Sequence, residues 1–204
     1  NGNAYVTSSD PNTLEYDNMV GLFHATIAKE KDGTFKVWGQ NSGSDGTSNL
    51  FVPTAIDGTG SGNAKFTYTG TPLKVTGGNN SDATSHQFAL LTSTGLYVWG
   101  TANTLITNSI TSNTTINAVS IGTYGVANAG NPSYSKGLPY GVNPTDVKML
   151  FGTYLTLVLV TCDGDVYVTS QTDYNRGNGN TGNDNTWYKV QKAGGTANTD
   201  QNTS

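Results

Sequence analysis

The sequence predicts an all-β protein built from repeated antiparallel hairpins, and three observations predict it. Strand-type residues flank Asp-Gly or a lone Gly again and again, as in the run to Ala28, Asp32-Gly33 and Phe35-Lys36-Val37-Trp38. His24 lies nine residues before Gly33, and His86 lies nine before Gly95, so the unit recurs in register. No segment carries an apolar stripe of period 3.6 across ten or more residues, so no helix of consequence is expected.

The first complete unit runs from Gly21-Leu22-Phe23-His24 to Trp38-Gly39-Gln40-Asn41, and its hairpin is expected over 22–38 with positive φ supplied by the Asp-Gly dipeptide. In the second, over 86–99, Phe88-Ala89-Leu90-Leu91 replaces Thr26-Ile27-Ala28-Lys29, and the hairpin closes one residue shorter on Trp99-Gly100. A third, over 153–168, starts at Gly152 and turns at Asp163-Gly164; Leu155 takes the histidine place and Thr169 the tryptophan place. Residues 1–8 parallel Asp163 to Ser170 and read as the closing strand of an earlier unit. Turn glycines at 2, 33, 95 and 164 mark an irregular array with insertions between fixed hairpins, the signature of solenoids and propellers, whose units bury their apolar faces on each other.

The intervening stretches read in order. Leu14 to Tyr16 and Asn18 to Val20 lead into the first hairpin; Asn41 to Asn49 is a polar loop; Leu50 to Ile56 is a short strand that Pro53 places at an edge or an end. Lys65 to Thr69 alternates like a half-buried strand, and Leu73-Lys74-Val75 enters the second hairpin. The insertion 101–146 holds a strand candidate at Ile116 to Ile121 and three tyrosines, Tyr124, Tyr134 and Tyr140. Asp146 to Leu150 leads into the third hairpin, and Trp187 to Val190 reads as the first strand of a further, incomplete blade. The repeat domain thus spans 1–192, and 193–204 is a flexible tail or linker.

Composition narrows the class. Of 204 residues 12% are charged, with a net charge of −4 and the ten basic residues scattered singly, which gives a polyanion no footprint; nucleic acid is not an expected partner. No apolar run approaches the roughly 18 residues of a membrane helix, so no insertion into a membrane is expected. Abundant Asn, Thr, Ser and Gly with few charges suit an extracellular or cell-surface protein. The one cysteine, Cys162, reads as a half-buried small residue at a strand end, and Asn79, Asn113 and Asn202 begin glycosylation-type triplets.

Gly-x-x-His, the Asp-Gly hairpin and Trp-Gly-x-Asn together resemble the repeats of the regulator-of-chromosome-condensation family. Gly21, His24, Gly33 and Trp38 to Asn41 carry the likeness in the first copy; His86, Gly95, Trp99 and Gly100 carry it in the second; Gly152 and Gly164 carry it in the third. Val52 to Ile56 looks like the strand that follows the family's glycine loop. The resemblance implies a β-propeller with four-stranded blades, normally seven, of which this chain would be a partial set or fragment. Its ends are then expected to continue into further polypeptide or to pair with neighbouring subunits. Family functions range from nucleotide exchange on a small GTPase to light sensing and inhibition of a secreted enzyme, all through loops on a rigid scaffold.

Candidate chemistry is sparse. The two histidines and Trp38 with Trp99 repeat in register, which argues for packing or hydrogen bonding inside each blade, with both rings equally buried, rather than metal or ligand binding. Asp173 to Gly179 with Asp184 imitates a calcium loop but puts Gly177 and Asn178 where a ligand and the turn glycine belong, so no metal or cofactor is expected. No nucleophile elbow, zincin motif or phosphate loop occurs, and no enzymatic activity is expected. Tyr124, Tyr134 and Tyr140 are the candidates for contact with a protein or glycan surface. The expected function is recognition or spacing within a large adhesin-type surface protein. A secreted inhibitor-like binding module is the alternative, and a hydrolase with its site at the propeller axis is the second.

Overall fold

A computed structural model describes residues 14–81, 84–101, 105, 119–120, 137–139, 141–170 and 187–190, with side chains described from Met19 onward and not at 119–120. Among these residues twelve strands form three four-stranded antiparallel sheets. The first blade holds β1 (Leu14–Gly21), β2 (Ala25–Glu30), β3 (Phe35–Gly39) and β4 (Leu50–Ala55), side by side in chain order. The second holds β5 (Pro72–Asn79), β6 (His86–Thr92), β7 (Gly95–Gly100) and β8 (Val119–Ser120); the third holds β9 (Val147–Gly152), β10 (Thr156–Thr161), β11 (Val166–Ser170) and β12 (Tyr188–Lys189). The chain is all-β, as the hairpin recurrence predicts. The helical turns among the described residues are short 3-10 turns, Gly62–Ala64 and Pro144–Asp146.

Register makes the blades comparable. Thr26 pairs with Trp38, Phe88 with Trp99, and Leu157 with Thr169, so the sequence alignment of the three units is also the structural one. The first strands lie next to one another, β5 touching β1 on one side and β9 on the other. Two apolar layers fill the joints. Ile27, Phe35 and Val37 meet Phe88, Leu90 and Trp99 between blades one and two. Ala89, Leu96 and Val98 meet Leu150, Leu157 and Leu159 between blades two and three.

The second blade therefore shows one face to the first blade and the other to the third. Trp99 belongs to the backward face. It is fully buried, stacks on Phe88 at 5.3 Å, meets Phe66 edge-on at 5.3 Å, and donates from Nε1 to the carbonyl of Ser42 in the first blade's loop at 3.3 Å. Trp38 occupies the same register place but is only half-buried, because no blade stands before it among the described residues. The expectation of equal burial is corrected by position in the array.

The structure corrects other expectations. The Asp-Gly turn is a three-residue loop: Glu30 accepts from the Gly33 amide and donates to Thr34, and Gly33, but not Asp32, has positive φ (91°). Asp32 instead accepts from the Thr34 amide at 2.8 Å, which fixes the turn's entry. Lys65 to Thr69 is not a strand; it runs unpaired between blades, where Phe66 is 1% exposed and Tyr68 donates to the Ile56 carbonyl. Trp187 to Val190 is not the start of a further blade but supplies the fourth strand of the third, with Tyr188 opposite Val168. Trp187 donates to the Gly137 carbonyl, and Lys189 pairs with Asp165 at 2.6 Å, which ties β12 to the neighbouring strand. Cys162 is exposed, not half-buried, because it is the first residue of the turn that ends at Gly164. Residues 1–8, most of the insertion 101–146, the segment Asp173 to Asp184 and the tail 193–204 lie outside the described residues.

Trp99→Ala should cost ~3–5 kcal/mol by opening a cavity in a closed joint. Trp38→Ala, at an open one, should cost below about 2 kcal/mol. Urea unfolding of the two variants against the parent measures the difference, and equal losses would show that both rings are enclosed.

Candidate functional site

The end of the array carrying the turns between first and second strands also carries the loop from β3 to β4. On this end two turns have the same construction. The Leu22 amide donates to the Ala25 carbonyl at 2.8 Å, and the Thr153 amide to the Thr156 carbonyl at 2.8 Å. At the tips stand Phe23, 59% exposed, and Tyr154, 52% exposed. The motifs Gly21-Leu22-Phe23-His24 and Gly152-Thr153-Tyr154-Leu155 bring an aromatic to the third place in both, and that shared third place was the available sequence signal.

The histidines part company here. His24 is exposed and donates from Nδ1 to Gln40 Oε1 at 2.8 Å, joining the β1–β2 turn to the end of β3. His86, in the same register place, is fully buried, 6.4 Å from the Phe88 ring. Behind both runs one backbone device: the His24 carbonyl accepts from the Gln40 amide, and the His86 carbonyl from the Thr101 amide. Gly39 and Gly100 permit it, since a Cβ on either would come within 2.3 Å and 2.4 Å of those carbonyls. The third blade solves the same contact with a side chain. Ser170 replaces the glycine and donates its hydroxyl to the Leu155 carbonyl, and Leu155 takes the positive φ, 56°.

The loop from Gln40 to Asn49 is far more ordered than a polar Gly/Ser/Asp stretch suggests. Ser42 and Ser44 are buried, and the Ser44 amide and hydroxyl both donate to the Asn63 carbonyl. The Asn41 side-chain amide donates to the Thr84 carbonyl at 2.7 Å, which couples this loop to the second blade. Asp45 is the loop's hub, accepting from the amides of Thr47 and Ser48 and from the Ser48 hydroxyl. Burial alone would raise its pKa, but those hydrogen bonds to the carboxylate outweigh it and hold the group below the usual carboxylate value.

A groove of roughly 180 Å³ opens beside the loop, lined by Trp38, Gln40, Asn49 and Phe51 among others. It is smaller than the ~300 Å³ at which small-molecule sites begin. Among the described residues no three His, Cys, Asp or Glu side chains converge as metal ligands would. Tyr124, Tyr134 and Tyr140 all lie outside the described residues. The positions Gly21, Gly33, Gly95, Gly152 and Gly164 sit at strand ends and turns of the three blades. What the described surface offers is a pair of exposed aromatics at repeated turn tips, held on hydrogen-bonded turns beside a packed loop.

Comparison with solved structures places this architecture. Human WBSCR16 superposes with a TM-score of 0.52 at 16% identity, over 83% of this chain and 38% of its own. The fold is that of an RCC1-like β-propeller. Yeast RCC1 (Prp20), in a structure with Kap60 bound to it, superposes with a TM-score of 0.50 at 15% identity, over 89% of this chain and 37% of its own. The chain thus spans well under half the length of these RCC1-like propellers. No family model matches it, and no curated protein matches it by sequence.

Because the folded-state pKa of Asp45 is depressed, its contribution to stability is present in full above the unfolded carboxyl value of about 4 and is lost as pH falls through the lower folded value. Unfolding free energy of the parent should therefore drop across that acidic window. Asp45→Asn should be less stable at neutral pH and show a shallower drop; identical pH profiles would mean that the carboxylate's charge is immaterial to the loop.

Proposed function

We propose that this chain is a non-enzymatic β-propeller recognition module that holds a protein partner against its loop end, with Phe23 and Tyr154 as the anchoring side chains. The observation that carries the reading is their exposure, 59% and 52%, at the same turn place in two blades. Exposed rings on rigid turns offer large contact area at small entropic cost, and such residues dominate binding energy at interfaces. Yeast RCC1 (Prp20) is itself bound by Kap60, and fold likeness transfers neither that partner nor its contact surface. An extracellular or cell-surface setting belongs to the same proposal and rests on composition, with 12% charged residues in a chain rich in Asn, Ser and Thr.

The test displays the full 204-residue chain, and its Phe23→Ser/Tyr154→Ser double variant, against arrays of secreted and surface proteins and of glycans. The expected result is a protein ligand whose affinity falls roughly tenfold or more in the double variant, with the melting temperature unchanged. Ligand binding indifferent to both substitutions overturns the reading, as does ester, peptide or glycoside turnover abolished by a single carboxylate substitution. Binding confined to glycans would move the partner class.

A further inference from the structure

The connection from β5 to β6 holds a pair of groups that the packing of the blades does not use. It begins where β5 ends, at Asn79, whose side-chain amide donates to the Asn80 carbonyl at 3.0 Å. Its mouth is closed by the Asn80 amide, which donates to the Ser85 carbonyl at 3.1 Å. Just inside, the Ser81 amide donates to Asn80 Oδ1 at 2.6 Å, and the Ser81 hydroxyl donates to the same oxygen at 3.2 Å. Asn80 is half-buried and Ser81 exposed, so the pair stands within reach of water. At this separation the Ser81 nitrogen is also a neighbour of Cγ, the carbon that carries Oδ1 and the electrophile of the side-chain amide. Rotation about the Cβ–Cγ bond turns the face of Cγ toward that nitrogen. Groups held in this way react without the entropic cost of meeting. The Ser81 hydroxyl meanwhile points at the atom on which negative charge develops when Cγ is attacked.

The first blade contains the same dipeptide in a different setting. In Asn41-Ser42 the serine is fully buried, and the Asn41 side-chain amide is held across the joint by the Thr84 carbonyl at 2.7 Å. The Ser42 hydroxyl is turned away from its neighbour and donates to the Gly39 carbonyl at 2.8 Å. Local sequence treats Asn41-Ser42 and Asn80-Ser81 alike, and the fold separates them.

We infer that Asn80 is a site of spontaneous deamidation, with the Ser81 backbone nitrogen as the nucleophile. That nitrogen loses its proton to hydroxide and attacks Cγ. The N–Cγ bond forms, the Cγ–Nδ2 bond breaks, and Nδ2 takes a proton from water and leaves as ammonia, which returns the hydroxide. Water then opens the resulting cyclic imide at either carbonyl, leaving aspartate or its isomer linked through the side chain. A water is consumed and an ammonia released, and nothing is oxidised or reduced. Either product replaces a neutral amide by a carboxylate that is ionised at neutral pH. The isomer also lengthens the main chain by a carbon where the Asn80 amide bonds Ser85, so it loosens the mouth of the connection. Because β5 touches β1 and β9, the new charge lands between the turns that carry Phe23 and Tyr154.

The test incubates the full chain at neutral and at mildly alkaline pH, folded and in urea, and follows the peptides holding Asn41 and Asn80 by tandem mass spectrometry. In the folded chain Asn80 should convert to aspartate and isoaspartate roughly tenfold or more faster than Asn41. The conversion should quicken as pH rises, and in urea the two sites should react at similar rates. Ser81→Ala keeps the attacking nitrogen and loses only the hydroxyl, so it should slow the reaction. Ser81→Pro removes the N–H and should abolish it, with the melting temperature checking that the variant folds. Equal rates at Asn41 and Asn80 in the folded chain overturn the inference. So does an Asn80 that stays intact, that reacts more slowly folded than in urea, or that converts as fast in a folded Ser81→Pro variant as in the parent.

Discussion

A blade with apolar residues on both faces has to be covered on both faces, and the rest of this structure follows from that constraint. A four-stranded meander on its own buries too little to be secure. The second blade, flanked by described neighbours on each side, shows what covering does: all seven residues of β6 are buried. Alternation is consequently absent from Phe88-Ala89-Leu90-Leu91, because inward and outward lose their meaning when both sides are interior. In β2, by contrast, Thr26 and Lys29 remain only half-buried although Ile27 and Ala28 between them are enclosed. At roughly 1.5–3 kcal/mol for each fully buried large apolar side chain, the joints supply the main favourable term that a lone blade lacks.

Close packing at the joints explains which backbone positions lack side chains. Gly77 and Gly152 admit the adjoining first strand, while Gly39 and Gly100 admit the carbonyl of the preceding turn within their own blade. The third blade shows that the second requirement concerns the contact and not glycine as such. Ser170 fills the space with a hydroxyl that bonds the same carbonyl, and the unusual φ moves to Leu155. Loss of the histidine and of the glycine in the third repeat is therefore a compensated exchange at two paired places.

Much of this was legible in the sequence. The nine-residue interval from His24 to Gly33 and from His86 to Gly95 reports strand length plus turn, so it predicts the hairpins and their register before any coordinates. Burial was less legible, because it depends on what stands next to a blade and not on the blade's own residues. Trp38 and Trp99 are alike in local sequence and differ in neighbours. Gly77 escaped notice for a different reason: the β5–β6 loop is longer than its counterparts, which shifts this glycine out of alignment with Gly21 and Gly152 although its strand pairing is the same. The order of the 40–49 loop was hidden in the same way, since its partners Asn63 and Thr84 lie in distant connections.

The turn tips separate what the fold requires from what it merely tolerates. Phe23, Ser85 and Tyr154 each lie ten residues before the turn glycine of their own hairpin, but Ser85 closes the longer β5–β6 loop by accepting from the Asn80 amide and does not stand at the tip of a four-residue turn. The rings of Phe23 and Tyr154 leave most of their surface in water although burial would favour each of them. The joint positions are enclosed by neighbouring blades, whereas the two tips face solvent. An aromatic kept exposed twice, on turns closed by the same hydrogen bond, is the feature on which the proposed recognition role rests.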